Sequence, residues 1–192
     1  MHKHPKERTI PPYFQLTYAK EDIAYRTYQL GTDISTWAEE SYKETGEQIL
    51  GVCILRGGVF FFSDLLKQIA YTVEPSYCRC QSYSSEDNTQ GDTFNITVKP
   101  EGIEGRHVLL VDDICDSGKT LSKMVEYCQE NGAKEVRTAV LIHRIHEESV
   151  YTPDYTGFRY EGNEWFAGYG MEDKNHRANY PEVYIIKGNS VD

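Results

Sequence analysis

Short apolar segments alternate with amphipathic segments along the middle of the chain. Four apolar segments bounded by turn residues have the length of buried strands: 49–55, 77–83, 107–111 and 136–143. Three further segments repeat their apolar residues at helical spacing: 34–45, 59–71 and 118–131. Asp33 and Gly46 suit the two ends of the first of these helices. Strands that alternate with helices predict βαβ units around a parallel sheet, which is an α/β fold.

The two ends of the chain depart from this alternation. Residues up to about 30 are polar and include prolines, which predicts an irregular segment. Within the chain, the polar residues 84–93 predict a mobile loop. Residues 151–186 are rich in Tyr and Gly with short strand-like pieces, and they predict a small lobe beside the sheet. We therefore expect one domain over residues 1–192, with a core at about 33–150 and a lobe formed by 151–186 and part of the N-terminal segment.

The composition narrows the classes of function. The chain has 20 Lys and Arg against 30 Asp and Glu, so we expect no binding to nucleic acid, which requires clustered cations. No apolar run approaches the ~20 residues of a membrane helix, so we expect no membrane span. The cysteine count of 5 is odd in a chain long enough for its own core, which predicts reduced thiols and a cytoplasmic protein.

One segment, 108–121, carries most of the candidate chemistry. Its sequence, VLLVDDICDSGKTL, leads from an apolar strand through acidic residues into the start of a helix. Ligands of open parallel sheets bind beyond the carboxyl ends of strands, and the helix start at 117–120 offers backbone N–H groups and hydroxyls to a phosphate. Asp112 and Asp113 would repel a phosphate and suit ribose hydroxyls or a divalent cation. Asp116 lies between the two regions, where it can take or give a proton.

Parts of this pattern also have plainer interpretations. Ser-Gly at a helix start is typical of an ordinary cap, and the segment matches neither the Walker A pattern nor the dinucleotide-binding glycine pattern. The acidic pair directly before Asp-Ser-Gly-Lys-Thr is what favours a functional site. His143 and His146 stand at a strand end, where a surface or core role is favoured over metal binding.

The same segment resembles the phosphoribosyl-pyrophosphate (PRPP) signature of type I phosphoribosyltransferases, closest to their hypoxanthine-guanine branch. Residues 55–66 resemble the pyrophosphate-binding loop and its helix, and Ser82-Tyr83 resembles the start of the flexible catalytic loop. Residues 151–158 and 165–169 resemble the purine-side hood. The resemblance covers about 33–186 and implies the parallel-sheet type I phosphoribosyltransferase fold with a small hood lobe.

This resemblance implies an enzyme of purine salvage. A 6-oxopurine base, hypoxanthine or guanine, would react with PRPP to give IMP or GMP and pyrophosphate. The resemblance further implies a homodimer or homotetramer, and a Mg²⁺ ion, which prefers carboxylate and phosphate oxygens. A phosphoribosyltransferase for another base, xanthine or adenine, and a nucleotide-sensing regulator on the same fold stay as alternatives. The acidic charge counts against the regulator.

The resemblance also assigns roles to residues of the signature. Asp112 and Asp113 would hold the ribose hydroxyls, directly or through the metal ion, and Asp116 would be the general acid or base at the purine N7. Four consecutive residues would cradle the 5′-phosphate: Ser117, Gly118, Lys119 and Thr120.

Residues outside the signature receive roles in the same way. Arg56 and Gly57 would offer backbone N–H groups to pyrophosphate across a non-proline cis peptide, and Ser82 and Tyr83 would contact PRPP from the catalytic loop. Trp165 would stack on the purine, and Phe166 would present backbone groups to the base edge. The remaining assignments are Glu172 or Asp173 as a second metal-binding carboxylate, and Arg177 as a pyrophosphate ligand if one residue is inserted relative to the family spacing.

Three positions depart from the family pattern. The family usually has a Lys that donates to the purine 6-oxo group where this chain has Thr152, which leaves base specificity open. Arg56 stands where close relatives often have Lys and resembles the xanthine-guanine branch. Asp112 begins the signature where many relatives have Glu.

Overall fold

The computed structural model describes residues 8–83, 93–174 and 177–187. The elements in chain order are β1 (Phe14–Tyr18), α1 (Lys20–Thr45), β2 (Ile49–Ile54), α2 (Val59–Leu66), β3 (Val73–Tyr83), β4 (Thr93–Val98), β5 (His107–Cys115), α3 (Lys119–Glu130), β6 (Glu135–Arg144), β7 (Tyr155–Tyr160), β8 (Phe166–Ala167) and β9 (Val183–Ile186). Within these residues, no helix is both long enough and apolar enough to cross a membrane.

A six-stranded sheet in the order β4-β3-β2-β5-β6-β7 forms the centre of the molecule. Strands β3, β2, β5, β6 and β7 run parallel to their neighbours, and β4 is antiparallel to β3. This sheet confirms the predicted α/β fold. Every residue of β2 is buried, and so is every residue of β5 except Ile114, because helices cover both faces of the central parallel strands.

The helices divide the apolar core into two layers. On one face of the sheet α1 and α2 pack against β5 and β6 through buried side chains, among them Ile34, Trp37, Phe61, Leu65, Leu109 and Leu141. On the other face α3 packs against β2 and β5 through a second set that includes Leu121, Met124, Cys128, Leu50 and Leu110. The two layers hold β5 rigidly, and β5 carries the acidic pair.

Helix α1 is longer than predicted. It begins at Lys20, so the prediction of an irregular segment up to residue 30 is wrong. Ile23 and Leu30 are buried on the inner face of this helix, together with the polar side chains of Thr27 and Ser41. Arg26 donates from Nε to the carbonyl oxygen of Gly157 at 2.8 Å and from a terminal nitrogen to that of Thr156 at 3.2 Å, which fastens the helix to β7. The predicted end of this helix at Gly46 is confirmed, with φ of 74°.

Other element boundaries also differ from the predictions. Helix α2 ends at Leu66 instead of residue 71, β3 begins earlier at Val73, and β4 was not predicted. Strand β5 continues to Cys115, so Asp112 and Asp113 lie inside the strand and not after it. The predicted mobile loop lies outside the described residues except for its last residue, Thr93, which begins β4.

A small antiparallel sheet in the order β1-β9-β8 forms the hood. The N-terminal strand β1 pairs with β9, so both ends of the described chain contribute to this sheet. Strand β7 belongs to the main sheet, where it pairs with β6, so the predicted lobe boundary at residue 151 is too early. The predicted core boundary at residue 33 is too late, because α1 starts at Lys20.

Candidate active site

Asp112 and Asp113 are buried near the carboxyl end of β5. Each carboxylate accepts a hydrogen bond of 2.9 Å from the backbone N–H of the next residue, Asp113 and Ile114 respectively. Burial, and then the charge of Asp113, raises the pKa of Asp112 well above its usual range. Burial also raises the pKa of Asp113. A cation or hydroxyl donors brought to this pair would stabilise its ionised form.

The loop between β5 and α3 is shaped by Gly118, the residue that precedes the helix. Gly118 has φ of 79°, and a Cβ there would lie 2.7 Å from Cβ of Tyr151. Ser117 accepts a 2.9 Å backbone hydrogen bond from Val150, and the backbone N of Lys119 lies 3.5 Å from Ser117 Oγ. The N–H groups of the first helical turn have no acceptor within the helix, so this pinned loop presents donors to an anion. Thr120 follows in that first turn.

The loop after β2 lies directly beside the acidic pair. The peptide bond between Leu55 and Arg56 is cis, as the resemblance implies. A Cβ at Gly57 would lie only 2.0 Å from Asp113 Oδ2, so a side chain here would collide with the carboxylate. The Arg56 guanidinium reaches across to Glu172, with 3.0 Å between the terminal nitrogen and Oε2.

A cavity of about 150 Å³ lies between the carboxyl end of β5 and the hood. Its lining includes Asp113, Asp116, Arg144, Trp165, Phe166 and Glu172. The cavity therefore brings together residues from the signature and from the hood.

Trp165 stands exposed at this cavity. Its side chain is 67% exposed, although large aromatic side chains are usually buried. Its Nε1 donates to the carbonyl oxygen of Glu172 at 3.1 Å, which fixes the ring in place. The next residue, Phe166, is buried in β8 and packs edge-on against Tyr160. A fixed, exposed indole beside a polar cavity is suited to stacking on a flat ring.

Asp116 has a basic side chain next to each of its carboxylate oxygens. Arg144 Nε lies 3.3 Å from Oδ2, and His146 Nε2 lies 3.3 Å from Oδ1. Sequence reasoning missed Arg144 and gave His146 only a surface or core role. A signal for Arg144 was available, since it is a cation that ends an apolar strand predicted to lie in the same parallel sheet as the signature strand.

Several predicted site residues lie elsewhere. Thr152 is exposed and is not among the residues that line the cavity. Asp173 is buried in the hood, where it accepts a 2.9 Å hydrogen bond from the backbone N–H of Arg177. Arg177 also donates to the Tyr13 hydroxyl at 2.9 Å. Of the two candidate metal-binding carboxylates in the hood, Glu172 is therefore the one at the cavity.

Ser82 and Tyr83 end strand β3, and their backbones pair with Phe94 and Thr93 of β4. The positions of their side chains are outside what the structure describes. Their predicted contacts with PRPP stay a prediction.

The acidic residues fit a magnesium ion that is shared with a substrate. Among the described residues, no three His, Cys, Asp or Glu side chains form a group that would hold a metal ion on its own. Asp112, Asp113 and Glu172 offer the oxygen ligands that Mg²⁺ prefers, and protein sites for Mg²⁺ commonly use one or two carboxylates with substrate phosphates.

Comparison with known proteins identifies the family. The family model for the phosphoribosyl transferase domain matches residues 24–174. The chain belongs to the phosphoribosyltransferase family. The hypoxanthine-guanine-xanthine phosphoribosyltransferase of Tritrichomonas foetus is 33% identical over 175 residues, which cover 90% of this chain and 91% of that protein. The hypoxanthine phosphoribosyltransferase of Escherichia coli K12 is 30% identical over 182 residues, which cover 94% and 95% of the two chains.

A solved structure agrees with these sequence comparisons. The structure of a hypoxanthine-guanine-xanthine phosphoribosyltransferase superposes with a TM-score of 0.75 at 29% identity, and covers 91% of this chain and 97% of that one. The resemblance to the type I phosphoribosyltransferases, closest to the hypoxanthine-guanine branch, is confirmed, and the protein is an enzyme of this family.

Proposed function

We propose that this phosphoribosyltransferase serves purine salvage by transferring the phosphoribosyl group of PRPP to hypoxanthine or guanine. The observation that carries the proposal is the position of Trp165, exposed and fixed at the same cavity as Asp113 and Asp116. An aromatic platform for a flat base shares this cavity with acidic residues that precede the proposed phosphate-binding loop. The relatives named for hypoxanthine, guanine and xanthine support the same substrate class.

The phosphoribosyl half of the substrate would lie along the β5–α3 loop. The backbone N–H groups at the start of α3 would bind the 5′-phosphate, and the side chains of Asp112 and Asp113 would accept hydrogen bonds from the ribose hydroxyls. Backbone groups of Arg56 and Gly57 would hold the pyrophosphate beside Asp113, where the absence of a Gly57 side chain leaves room.

The base half would lie in the cavity between Trp165 and the Phe166 backbone. N9 of the base forms a bond with C1′ of the ribose as the bond from C1′ to the pyrophosphate oxygen breaks, and the pyrophosphate departs with that electron pair. The proton carried by N7 passes to a carboxylate oxygen of Asp116, so the purine product is neutral at the ring.

Magnesium would be held by Asp112 or Asp113 and by Glu172 together with substrate oxygens. When bound, Mg²⁺ stabilises the negative charge that develops on the departing pyrophosphate. The ion pair between Arg56 and Glu172 holds Glu172 beside the loop that would bind the pyrophosphate.

A preference for 6-oxopurines is supported by Arg144, which borders the cavity while Thr152 does not. A guanidinium has five N–H donors and no acceptor, so it favours a 6-oxo group over the 6-amino group of adenine. Arg144 donates to the carbonyl oxygens of Gly162 and Glu164, which occupies only part of that donor set.

A base panel tests this function directly. The protein is incubated with PRPP, Mg²⁺ and one of hypoxanthine, guanine, xanthine, adenine or uracil, and pyrophosphate and nucleotide are measured. We expect IMP and GMP from the first two bases, with activity lost in excess EDTA and restored by added Mg²⁺. Turnover of adenine or uracil alone would overturn the substrate class, and full activity in EDTA would overturn the metal requirement.

A further inference from the structure

We infer that His146 is a positioning residue that holds the Asp116 carboxylate in the orientation needed for proton transfer. The inference rests on the proposed function, in which Asp116 accepts the proton from the purine. Sequence position does not suggest this role, because His146 lies outside the signature and follows Asp116 by 30 residues.

The contact itself joins one ring nitrogen to one carboxylate oxygen. His146 Nε2 lies 3.3 Å from Asp116 Oδ1. A carboxylate accepts hydrogen bonds, so the ring nitrogen that faces it carries the hydrogen. The side chain of His146 is 29% exposed and that of Asp116 is 59% exposed, so a solvated carboxylate is here tied to a side chain that is mostly buried.

The other oxygen of Asp116 faces a cation whose position is fixed by different contacts. Arg144 Nε lies 3.3 Å from Oδ2, but its terminal nitrogens donate to the carbonyl oxygens of Gly162 and Glu164. Its guanidinium also lies over the Phe166 ring, 5.1 Å from the centroid. Arg144 is therefore anchored to the hood, and it does not depend on Asp116 for its place.

These two contacts act differently on the carboxylate. The terminal torsion of Asp has a broad, two-fold preference, so a carboxylate held at one oxygen is free to turn. Without His146, we expect Asp116 to rotate toward Arg144 and to pair with it through both oxygens. The contact with His146 keeps Oδ1 away from Arg144. It thereby fixes the plane of the Asp116 carboxylate with respect to the cavity.

The orientation matters because a proton acceptor must lie within hydrogen-bond reach of the proton it takes. A misplacement of about 1 Å at a reacting centre can reduce the rate by about a hundredfold. A turned Asp116 should leave the binding of PRPP unchanged, because the proposed PRPP contacts are made by the acidic pair and by residues 117–120 and not by the Asp116 carboxylate. The effect of removing His146 should therefore fall on kcat and leave the KM for PRPP unaltered.

The first test compares three single variants with hypoxanthine as the base. We expect His146→Ala to lower kcat about tenfold, with the KM for PRPP unchanged within about twofold. In His146→Gln the amide nitrogen replaces Nε2 as the donor, so kcat should stay within about threefold of the unmodified enzyme. Glu147→Ala, an exposed neighbour in the same segment, is the matched control and should keep full activity.

The second test asks whether His146 acts through Asp116. We expect the double variant Asp116→Asn with His146→Ala to be no slower than Asp116→Asn alone, because the group being positioned has already been removed. An additional fall in kcat in the double variant, or a Gln variant as slow as the Ala variant, would overturn the inference.

The outcomes separate this inference from the proposed function. If Asp116→Asn lowers kcat while His146→Ala does not, the proposed role of Asp116 stands and the role of His146 is wrong. If Asp116→Asn leaves kcat unchanged, the proposed role of Asp116 fails, and the inference about His146 fails with it.

Discussion

The guanidinium of Arg56 lies 3.0 Å from the carboxylate of Glu172, and this ion pair joins the loop after β2 to the hood. The two residues are far apart in sequence, and each borders a different part of the proposed substrate. The pair therefore places a cation beside the region where pyrophosphate is proposed to bind, and a carboxylate beside the base.

Arg56→Ala should weaken the binding of PRPP more than it weakens the fold. Exposed ion pairs contribute about 0–1 kcal/mol to stability, so the free energy of unfolding should change by no more than about 1 kcal/mol. Alanine keeps the backbone N–H of residue 56, but it removes a guanidinium that stands beside the proposed pyrophosphate site. A hydrogen bond from that guanidinium to a pyrophosphate oxygen would contribute about 1.5–3 kcal/mol, so the KM for PRPP should rise about tenfold or more. Steady-state kinetics and urea unfolding measure the two effects.

Lys43→Ala is the control for this variant, since Lys43 forms an exposed ion pair with Glu39 on α1. It should change neither quantity appreciably. A large loss of stability in Arg56→Ala, with the KM for PRPP unchanged, would show that the ion pair is structural.

Gly57→Ala should disrupt the acidic site without unfolding the protein. The new Cβ would lie 2.0 Å from Asp113 Oδ2, and Asp113 is itself buried. The loop or the carboxylate must shift, so kcat/KM for PRPP should fall by more than about tenfold.

Gly46→Ala is the matched control at the end of α1. Gly46 has φ of 74°, and a Cβ added there would meet no described atom within 4 Å. Alanine at this position therefore introduces backbone strain of about 1–2 kcal/mol and no collision. It should lower stability and leave kcat/KM unaltered. Equal losses of activity in both glycine variants would contradict a local role for Gly57.

His143 should make the stability of the protein depend on pH. The side chain is buried, and neither ring nitrogen has a hydrogen-bond partner within the described residues. Burial lowers its pKa, and the nearby charges of Arg159 and His146 lower it further. The unfolded chain binds a proton near pH 6.5, so the stability present above that pH is lost as the pH falls through it toward the lower folded-state pKa.

His143→Leu removes this dependence and also removes two unpaired buried nitrogens. The free energy of unfolding of the variant, minus that of the unmodified protein, should be larger at pH 5.5 than at pH 7.5 by up to about 1.4 kcal/mol. That amount corresponds to a pKa difference of one unit for one group. Urea unfolding at the two pH values measures it. The same difference between variant and unmodified protein at both pH values would contradict the prediction.

Thr152→Lys tests whether a long cationic side chain reaches the purine 6-position from residue 152, which does not itself line the cavity. Thr152 is exposed and follows Tyr151, which contacts the phosphate loop at Gly118, so a long side chain at 152 starts close to the site. The ratio of kcat/KM for hypoxanthine to that for adenine should rise about threefold to a hundredfold, equivalent to ~1–3 kcal/mol.

Thr152→Met, which is long but uncharged, separates the effect of the ammonium group from that of side-chain length. It should leave the ratio near its original value. A ratio that stays the same or falls in Thr152→Lys means that position 152 does not face the purine 6-position.

The parts of the fold that were predictable from sequence are those with a local signal. The strand around Val111 and the loop at Gly118 each combine an apolar run with a turn residue, so their positions follow from neighbouring residues alone. The first half of α1 was missed because exposed aromatic residues, Tyr25 and Tyr28, obscure the apolar face formed by Ile23 and Leu30. Burial of that face depends on strand β7, which lies more than a hundred residues later.

The candidate site likewise has parts that were predictable from sequence and parts that depend on tertiary packing. The acidic pair and the phosphate loop are contiguous in sequence, and they were predicted as one segment. The contacts of Asp116 with Arg144 and His146 arise because β5 and β6 are parallel neighbours, with Cys115 opposite His143. That register is set by tertiary packing, so no single segment of the sequence contains it.

The role of Asp116 as the acceptor of the purine proton is tested by the turnover of Asp116→Asn with hypoxanthine and PRPP. Asparagine keeps the shape of the side chain but cannot take up the purine proton, and proton transfer by a placed side chain typically contributes about 10²–10⁴ in rate. We predict that kcat falls at least about tenfold while the Kd for PRPP stays within about twofold, because the phosphate loop is intact. An unchanged kcat would show that Asp116 does not accept the purine proton.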